Sequence, residues 1–253
     1  MTTRASELHS REAPPPDEGK LVGRLAIWPD EIHRESGATQ MALDEALLLT
    51  ADQPVIRFYT WARPEITFGF FTPLDAVSDQ SQPSTRRWTG GGVVEHGNDV
   101  TFSLAIPRAA LPSGLRAGES YRIIHEALAG ALRQAGFVGA EAVPTVDSRA
   151  EARGLGVSPG ACFAKPVSWD LIDRDSGLKI AGGAQRRSRK GLLHQGSVRL
   201  PAELRSVRHR WTRTFSESLA GECLDFPHAE EAERLADELR RDRYQSRAWQ
   251  QRF

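Results

Sequence analysis

The sequence predicts an α+β fold: a mixed, largely antiparallel sheet flanked by helices. Short runs rich in β-branched and aromatic residues outnumber the segments with helical periodicity. Gly, Pro and Asp turn signals separate those runs, and several lie close enough in sequence to pair as hairpins. No internal repeat is present.

In chain order, residues 1–20 carry mixed charge and the run Pro14-Pro15-Pro16 without the apolar core of a secretory signal, so they are expected to form a flexible leader. Leu21 to Trp28 is a first strand. Thr39 to Leu49 reads as a helix, with Thr39 as N-cap and Leu43, Ala46 and Leu47 on one face. Pro54 opens a strand through Trp61, Arg63-Pro64 turns the chain, and Ile66 to Phe71 is the expected hairpin partner. Gly69 inside that partner marks a bulge or a point where something presses on the backbone. Asp75 to Thr85 is a polar, proline-punctuated loop. Val100, Phe102, Leu104 and Ile106 alternate with Thr101, Ser103 and Ala105, the pattern of a half-buried strand.

Ser120 is placed to cap a second helix with Tyr121, Ile124, Leu128 and Ala131 along its apolar face and Gly136 at its end. His125 beside that face is read as structural. Residues 140–160 are loops, and Gly154-Leu155-Gly156 lacks the spacing of a dinucleotide fingerprint. Trp169 to Asp173, Leu178 to Ala181 and Leu192 to Leu200 are three further strands. From Glu203 the chain is highly charged, with a thin seam of Ala232, Leu235 and Leu239. This divides the chain into a leader (1–20), a catalytic body (21–200) and a charged helical extension (201–253).

Composition narrows the function classes. Lys+Arg and Asp+Glu both number 33, so a dedicated nucleic-acid binder is disfavoured. Two cysteines among 253 residues make no disulfide framework and fit a reducing cytoplasm. No stretch approaches the ~20 apolar residues of a membrane span. No zinc-ligand spacing and no phosphate-binding loop ending in Gly-Lys-Ser/Thr occurs, so no metal site is expected.

The richest stretch is Arg86-Arg87-Trp88-Thr89-Gly90-Gly91-Gly92-Val93-Val94-Glu95-His96. Three consecutive glycines bare the main chain to a ligand, and the arginine pair suits carboxylate or phosphate. The pattern describes either an anion- or acyl-binding loop or a glycine-rich hairpin with solvated arginines. Lys179, beside Ala181, Gly182 and Gly183, can hold an oxygen as charge develops on it, or lie along the surface. Cys162 is either a packed thiol or a nucleophile that takes an acyl group as a thioester, needing nearby cations such as Lys165, Lys179 or Arg186. Cys223 is read as packed and His194 as a strand histidine. The run Arg186-Arg187-Ser188-Arg189-Lys190, with Arg205, Arg208, Arg210 and Arg213, is a solvated face, a docking patch for an acidic partner or a binding patch for a phosphate backbone.

Three blocks together resemble the biotin/lipoate protein ligase superfamily on its lipoate side. They are Met41-Ala42-Leu43-Asp44-Glu45-Ala46 with Arg57-Phe58-Tyr59-Thr60-Trp61; the Arg86–Gly92 stretch with His96 and Phe102-Ser103; and Lys179-Ile180-Ala181-Gly182 with Ala184-Gln185-Arg186 and Leu193-His194-Gln195-Gly196. The resemblance implies a fold like that family's catalytic domain and the attachment of octanoyl or lipoyl groups to a lysine of a lipoyl carrier domain. It implies Lys179 as the essential lysine and Arg86, Arg87, Gly90, Gly91, Gly92, His96, Ala181 and Gly182 as substrate-binding residues. Ala161-Cys162-Phe163-Ala164-Lys165-Pro166, followed by Trp169-Asp170-Leu171, is similar to the cysteine block of the transferases, which implies a thioester at Cys162 and no cofactor. The triple glycine is more similar to the ATP-dependent lipoate ligases, which proceed through an acyl-adenylate and require ATP and Mg. The implied partners are a lipoyl carrier, either glycine-cleavage H protein or a 2-oxoacid dehydrogenase E2, and an acyl carrier protein as donor, with no nucleic acid and no membrane. A module that binds acyl groups or nucleic acid without turnover is the alternative of another class.

Overall fold

The structure, a computed structural model, describes residues 19–29, 35–77, 81–144, 167–226 and 230–252. Its main sheet takes strands in the order β11-β1-β2-β6-β10-β9-β8-β7. In chain order these are β1 (Val22–Ile27), β2 (Val55–Tyr59), β6 (Asp99–Pro107), β7 (Ala140–Ala142), β8 (Leu171–Asp173), β9 (Lys179–Ser188), β10 (Gly191–Arg199) and β11 (Ala220–Asp225). β1 runs parallel to both β2 and β11; every other neighbouring pair is antiparallel. The mixed, largely antiparallel α+β arrangement therefore stands. A second sheet, ordered β4-β3-β5, is built from β3 (Glu65–Phe68), β4 (Ser84–Arg86) and β5 (Val93–His96).

Two helices set the functional face. α1 (Gly37–Thr50) is capped by Ser36, whose hydroxyl accepts the Thr39 amide, so the cap lies three residues before the expected Thr39. α2 (Ala117–Gln134) begins before Ser120, which donates instead to the Ala117 carbonyl, and ends at Gly136 with a φ of 105°. α2 and α4 (Arg208–Leu219) cover one face of the main sheet, with Trp211 of α4 packed on Phe58 and Phe215 on Phe102. α1 covers the opposite face.

That double cover explains a departure from the sequence pattern. The alternation in β6 predicts one wet face, yet all nine of its residues are buried. Thr101 and Ser103 are not solvated: Thr101 accepts the Trp61 indole N–H, and Ser103 donates to Asp44. Buried hydroxyls are tolerated because each has a partner. The expected β2–β3 hairpin also does not form. β2 pairs with β6 and β1, and β3 pairs with β4 and β5 in the smaller sheet. The stretch read as loop through Thr85 ends in β4.

The charged segment beyond Leu200 does not stand apart. α3 (Ala202–Ser206) leads to α4, and β11 forms an edge of the main sheet, paired from Val22↔Ala220 to Ile27↔Asp225. α5 (Glu230–Leu239) and α6 (Arg247–Gln250) return to α1. There Glu45, buried on α1, is ion-paired with Arg243 and accepts the Tyr244 hydroxyl at 2.7 Å.

Candidate active site

Between the main sheet, α1 and the smaller sheet lies a cavity of about 440 Å³, its mouth included. Met41, Tyr59, Trp61 and Val94 give it apolar walls, Gly182, Gly183 and Gly196 a bare backbone floor, and Arg87, His96, Lys179 and Gln195 its polar points. Few polar groups among apolar walls is the usual make-up of a small-ligand site.

Lys179 opens β9 and its ammonium lies 2.7 Å from Asp170 Oδ2, with both side chains almost wholly buried. The local sequence makes this possible. A Cβ on Gly182 would fall 2.5 Å from Lys179 Cε and 2.6 Å from its Nζ, so only glycine there lets the stem fold along the strand. A Cβ on Gly183 would meet the His194 ring at 2.6 Å, and one on Gly196 the Phe102 ring at 2.3 Å. The site thus carries a dry-walled cation beside exposed main chain, an arrangement that can stabilise negative charge developing on a carbonyl oxygen.

His96 closes another part of the wall. Trp61 stacks on its ring at 3.9 Å between centroids. Its Nδ1 lies 2.7 Å from Asp99 Oδ2, and its Nε2 lies 2.8 Å from Thr67 Oγ1, which accepts from Arg87 at 2.8 Å. The ring is thus held on one side by the Asp99 carboxylate and on the other by the Thr67 hydroxyl. Burial pushes the Asp99 carboxyl up, but the neighbouring His96 ring, its hydrogen bond, the Ser197 hydroxyl and the Gly97 amide outweigh it, and the net is well below the usual carboxylate range. Asp99 is the partner the sequence hid: it stands three residues after the histidine rather than next to it.

Gln195 is held from behind. Its amide donates to Asp44 Oδ2 at 2.6 Å and its oxygen accepts Thr89 at 2.6 Å. Asp44, on α1, also receives Arg57, Ser103 and Tyr59. Burial, then the Asp44 charge, push the Tyr59 phenol well above its ordinary value, so it remains a neutral donor.

Not every expected residue faces the cavity. Arg86 is fully buried away from it, and its guanidinium donates to the carbonyls of Gly69, Phe70, Thr72, Trp249 and Gln250. It clamps main chain, the reverse of a solvated or ligand-reading arginine. Arg87 does line the cavity, and it also donates to the carbonyls of Gly90 and Gly92. Those two glycines and Gly91 (φ 86°) pack against Gly69, the residue after β3, where a Cβ would lie 1.8 Å from the Gly91 oxygen. The pressure on the Gly69 backbone comes from this loop. The triple glycine backs the site rather than lining the cavity. Ala181 is buried in β9 next to Gly182. Cys162 and the leader up to residue 18 lie outside the described residues.

His125 and His194 are buried on the α2 face, His125 stacked on Tyr121 at 4.1 Å. Burial lowers both; His125 falls to about 3. Arg186 turns inward, stacked on Phe70 and Trp88, while Arg187 remains exposed. Cys223 packs on the core at the β11 edge, and burial raises its thiol. Sequence reasoning missed Asp170 and Tyr121 as site residues, because Trp169 to Asp173 looked like plain strand and Tyr121 like core packing.

Residues 36–228 match the model of the lipoyl protein ligase A/B catalytic domain. The chain belongs to that family. As one of its catalytic domains the protein is an enzyme of the acyltransferase or lipoate ligase class. It is 31% identical over 226 residues to an octanoyltransferase LipM of Kyrpidia tusciae, covering 78% of this chain and 80% of that protein. It is 34% identical over 169 residues to an octanoyltransferase LipM of Staphylococcus aureus, where the match covers 62% of this chain and 60% of the relative. A bipartite lipoate protein ligase of Thermoplasma acidophilum, solved with its E2 lipoyl domain, superposes with a TM-score of 0.65 at 20% identity, over 92% of this chain and 96% of that one. A lipoate-protein ligase A bound with ATP gives 0.65 at 22% identity, over 91% and 99%. At such identities the two structures speak for the fold of the family. Among the described residues no helix is long and apolar enough to cross a membrane.

Proposed function

We propose that this protein moves an octanoyl or lipoyl group from a thioester donor to Cys162 and then to a lysine of a lipoyl carrier domain. The observation that carries the reading is the buried Lys179 ammonium beside an apolar cavity with a bare glycine floor. Support comes from the LipM octanoyltransferases among the relatives and from the neighbour solved with its E2 lipoyl domain.

The chemistry is one thioester exchange followed by aminolysis of the new thioester. The Cys162 thiolate attacks the donor carbonyl, the new C–S bond forms, and the donor thiol leaves as thiolate. The neutral amine of the carrier lysine then attacks the acyl-Cys162 carbonyl, the C–N bond forms, the Cys162 thiolate departs, and the amine's extra proton passes to solvent. In each step the carbonyl oxygen becomes an oxyanion, and Lys179 is the group that meets it. The acyl tail lies against Met41, Trp61 and Val94, and Arg87 and His96 shape the wall. No ATP is consumed. An acyl carrier protein is the donor chemistry that fits, and glycine-cleavage H protein or a 2-oxoacid dehydrogenase E2 the acceptor. The enzyme works in the cytoplasm.

Incubating the protein with octanoyl-carrier thioester and no ATP, then weighing it intact, should give a mono-octanoyl species that Cys162→Ser abolishes. An unmodified mass together with activity that survives Cys162→Ser would reject the scheme. Adenylate formation from free acid and ATP would replace it with the ligase reaction.

A further inference from the structure

Lys179 is a four-carbon stem with several rotatable bonds, and nothing in β9 alone aims it. Asp170 does. Its Oδ2 faces the Lys179 ammonium at 2.7 Å and accepts the Val167 amide at 2.7 Å. Its Oδ1 accepts the Tyr121 hydroxyl at 2.6 Å. Tyr121 in turn accepts the Gly183 amide at 2.9 Å. One carboxylate therefore joins three separate pieces of chain: β9, α2 and the approach to β8.

The backbone is bent to place it. Among the described residues Trp169 is the one non-glycine with positive φ, at 74°. Such a conformation persists only where surrounding structure enforces it, and it tends to mark sites of function. Here the Trp169 amide donates to Val143 at 2.6 Å and the Asp170 amide to Val167 at 2.9 Å, a tight turn that ends on the carboxylate. The open backbone at Gly182 completes the arrangement, since a Cβ there would also lie 3.1 Å from Asp170 Oδ1.

We propose that Asp170, braced by Tyr121, is the positioning residue that fixes Lys179 at the cavity floor. This deepens the reading above and rests on it only in taking Lys179 as the group that meets the acyl carbonyl. Asp170 touches no reacting atom. It holds the ammonium in one rotamer and keeps its charge partnered, so that no reorganisation is needed as the oxyanion forms.

Two variants and two readouts test this. Asp170→Asn keeps the shape and an acceptor for Tyr121 but sets an amide against the ammonium. Tyr121→Phe keeps the ion pair and removes the brace. The first readout is the split between kcat and donor KM in octanoyl transfer. The second needs no turnover: acetylation of Lys179 by an amine-directed reagent, mapped by peptide mass, with exposed Lys190 as internal standard. For Asp170→Asn, kcat should fall about 100-fold with donor KM little changed, the cost expected of a misplaced group. Lys179 should label faster while Lys190 labels at its former rate. Tyr121→Phe should move both readouts the same way, less far. Equal Lys179 labelling in wild type and in both variants overturns the proposal, as does an unchanged kcat. If Asp170→Asn unfolds, Tyr121→Phe alone decides. If wild type transfers no octanoyl group while the labelling contrast holds, the assigned reaction fails and the role of Asp170 stands.

Discussion

The two glycine runs of this chain do opposite jobs. Gly90-Gly91-Gly92 packs face to face with Gly69, just past β3, and the Gly90 and Gly92 carbonyls turn to Arg87. Gly182-Gly183 lies within a continuous strand and opens its backbone to the cavity, with Lys179 folded over one glycine and His194 under the other. The first run lets main chain approach main chain. The second lets side chains, and a ligand, approach main chain. A run of glycines marks a close approach without saying what approaches; the partner has to come from the fold.

Substitutions that restore a Cβ separate the two roles. The largest effect is expected at Gly69→Ala, where the obstacle is the Gly91 carbonyl itself. Backbone cannot swing aside as a side chain can, so a loss on the order of 3 kcal/mol is expected by chemical denaturation. Gly182→Ala meets the far end of the Lys179 side chain instead. Stability should change by less than about 1.5 kcal/mol, while transfer activity drops about 100-fold because Lys179 is displaced. If stability collapsed and activity survived, the contrast between the runs would be lost.

A third expectation concerns acid. Burial pushes His125 down to about 3, the Trp169 backbone opposing and the Lys179 charge adding to it, so the ring is neutral in the folded protein. The unfolded chain protonates the same ring near its ordinary value of about 6.5. Below that pH the unfolded state holds the extra proton, and stability falls progressively down to about pH 3. Between pH 6.5 and 5 this one ring should cost on the order of 2 kcal/mol. Thermal melts of wild type and His125→Leu should therefore diverge on acidification, the variant showing the flatter profile. The smallest effect is expected at Gly90→Ala: a Cβ there meets nothing within 4 Å. A change within about 0.5 kcal/mol is expected. A large loss would show that the loop needs its full backbone freedom after all.

Much of the fold was legible in residue pattern. β1, β2, β6, β10 and both long helices fall where alternation and helical spacing place them. Partners were less legible. β3 looked like the second half of a hairpin because turn chemistry at Arg63-Pro64 is local, whereas its pairing with β4 and β5 depends on residues up to 31 positions away, from Glu65 to His96. Lys179, His96 and Arg87 were legible as candidates, and all three meet at one cavity. Arg86 stands beside Arg87 in sequence, but strand alternation sends the two guanidiniums to opposite sides. Asp170 falls in the stretch that follows the cysteine block, but its role was not legible, because a carboxylate's importance here comes from a tyrosine 49 residues earlier and a lysine nine later.

The Arg86 clamp also orders events in time. Its carbonyl partners at Trp249 and Gln250 are synthesised 163 and 164 residues after it. Until they emerge from the ribosome, this guanidinium lacks two of its acceptors and β4 lacks the helix that packs on it. The wall behind the glycine loop is therefore completed only once α6 has been made and has docked on β4.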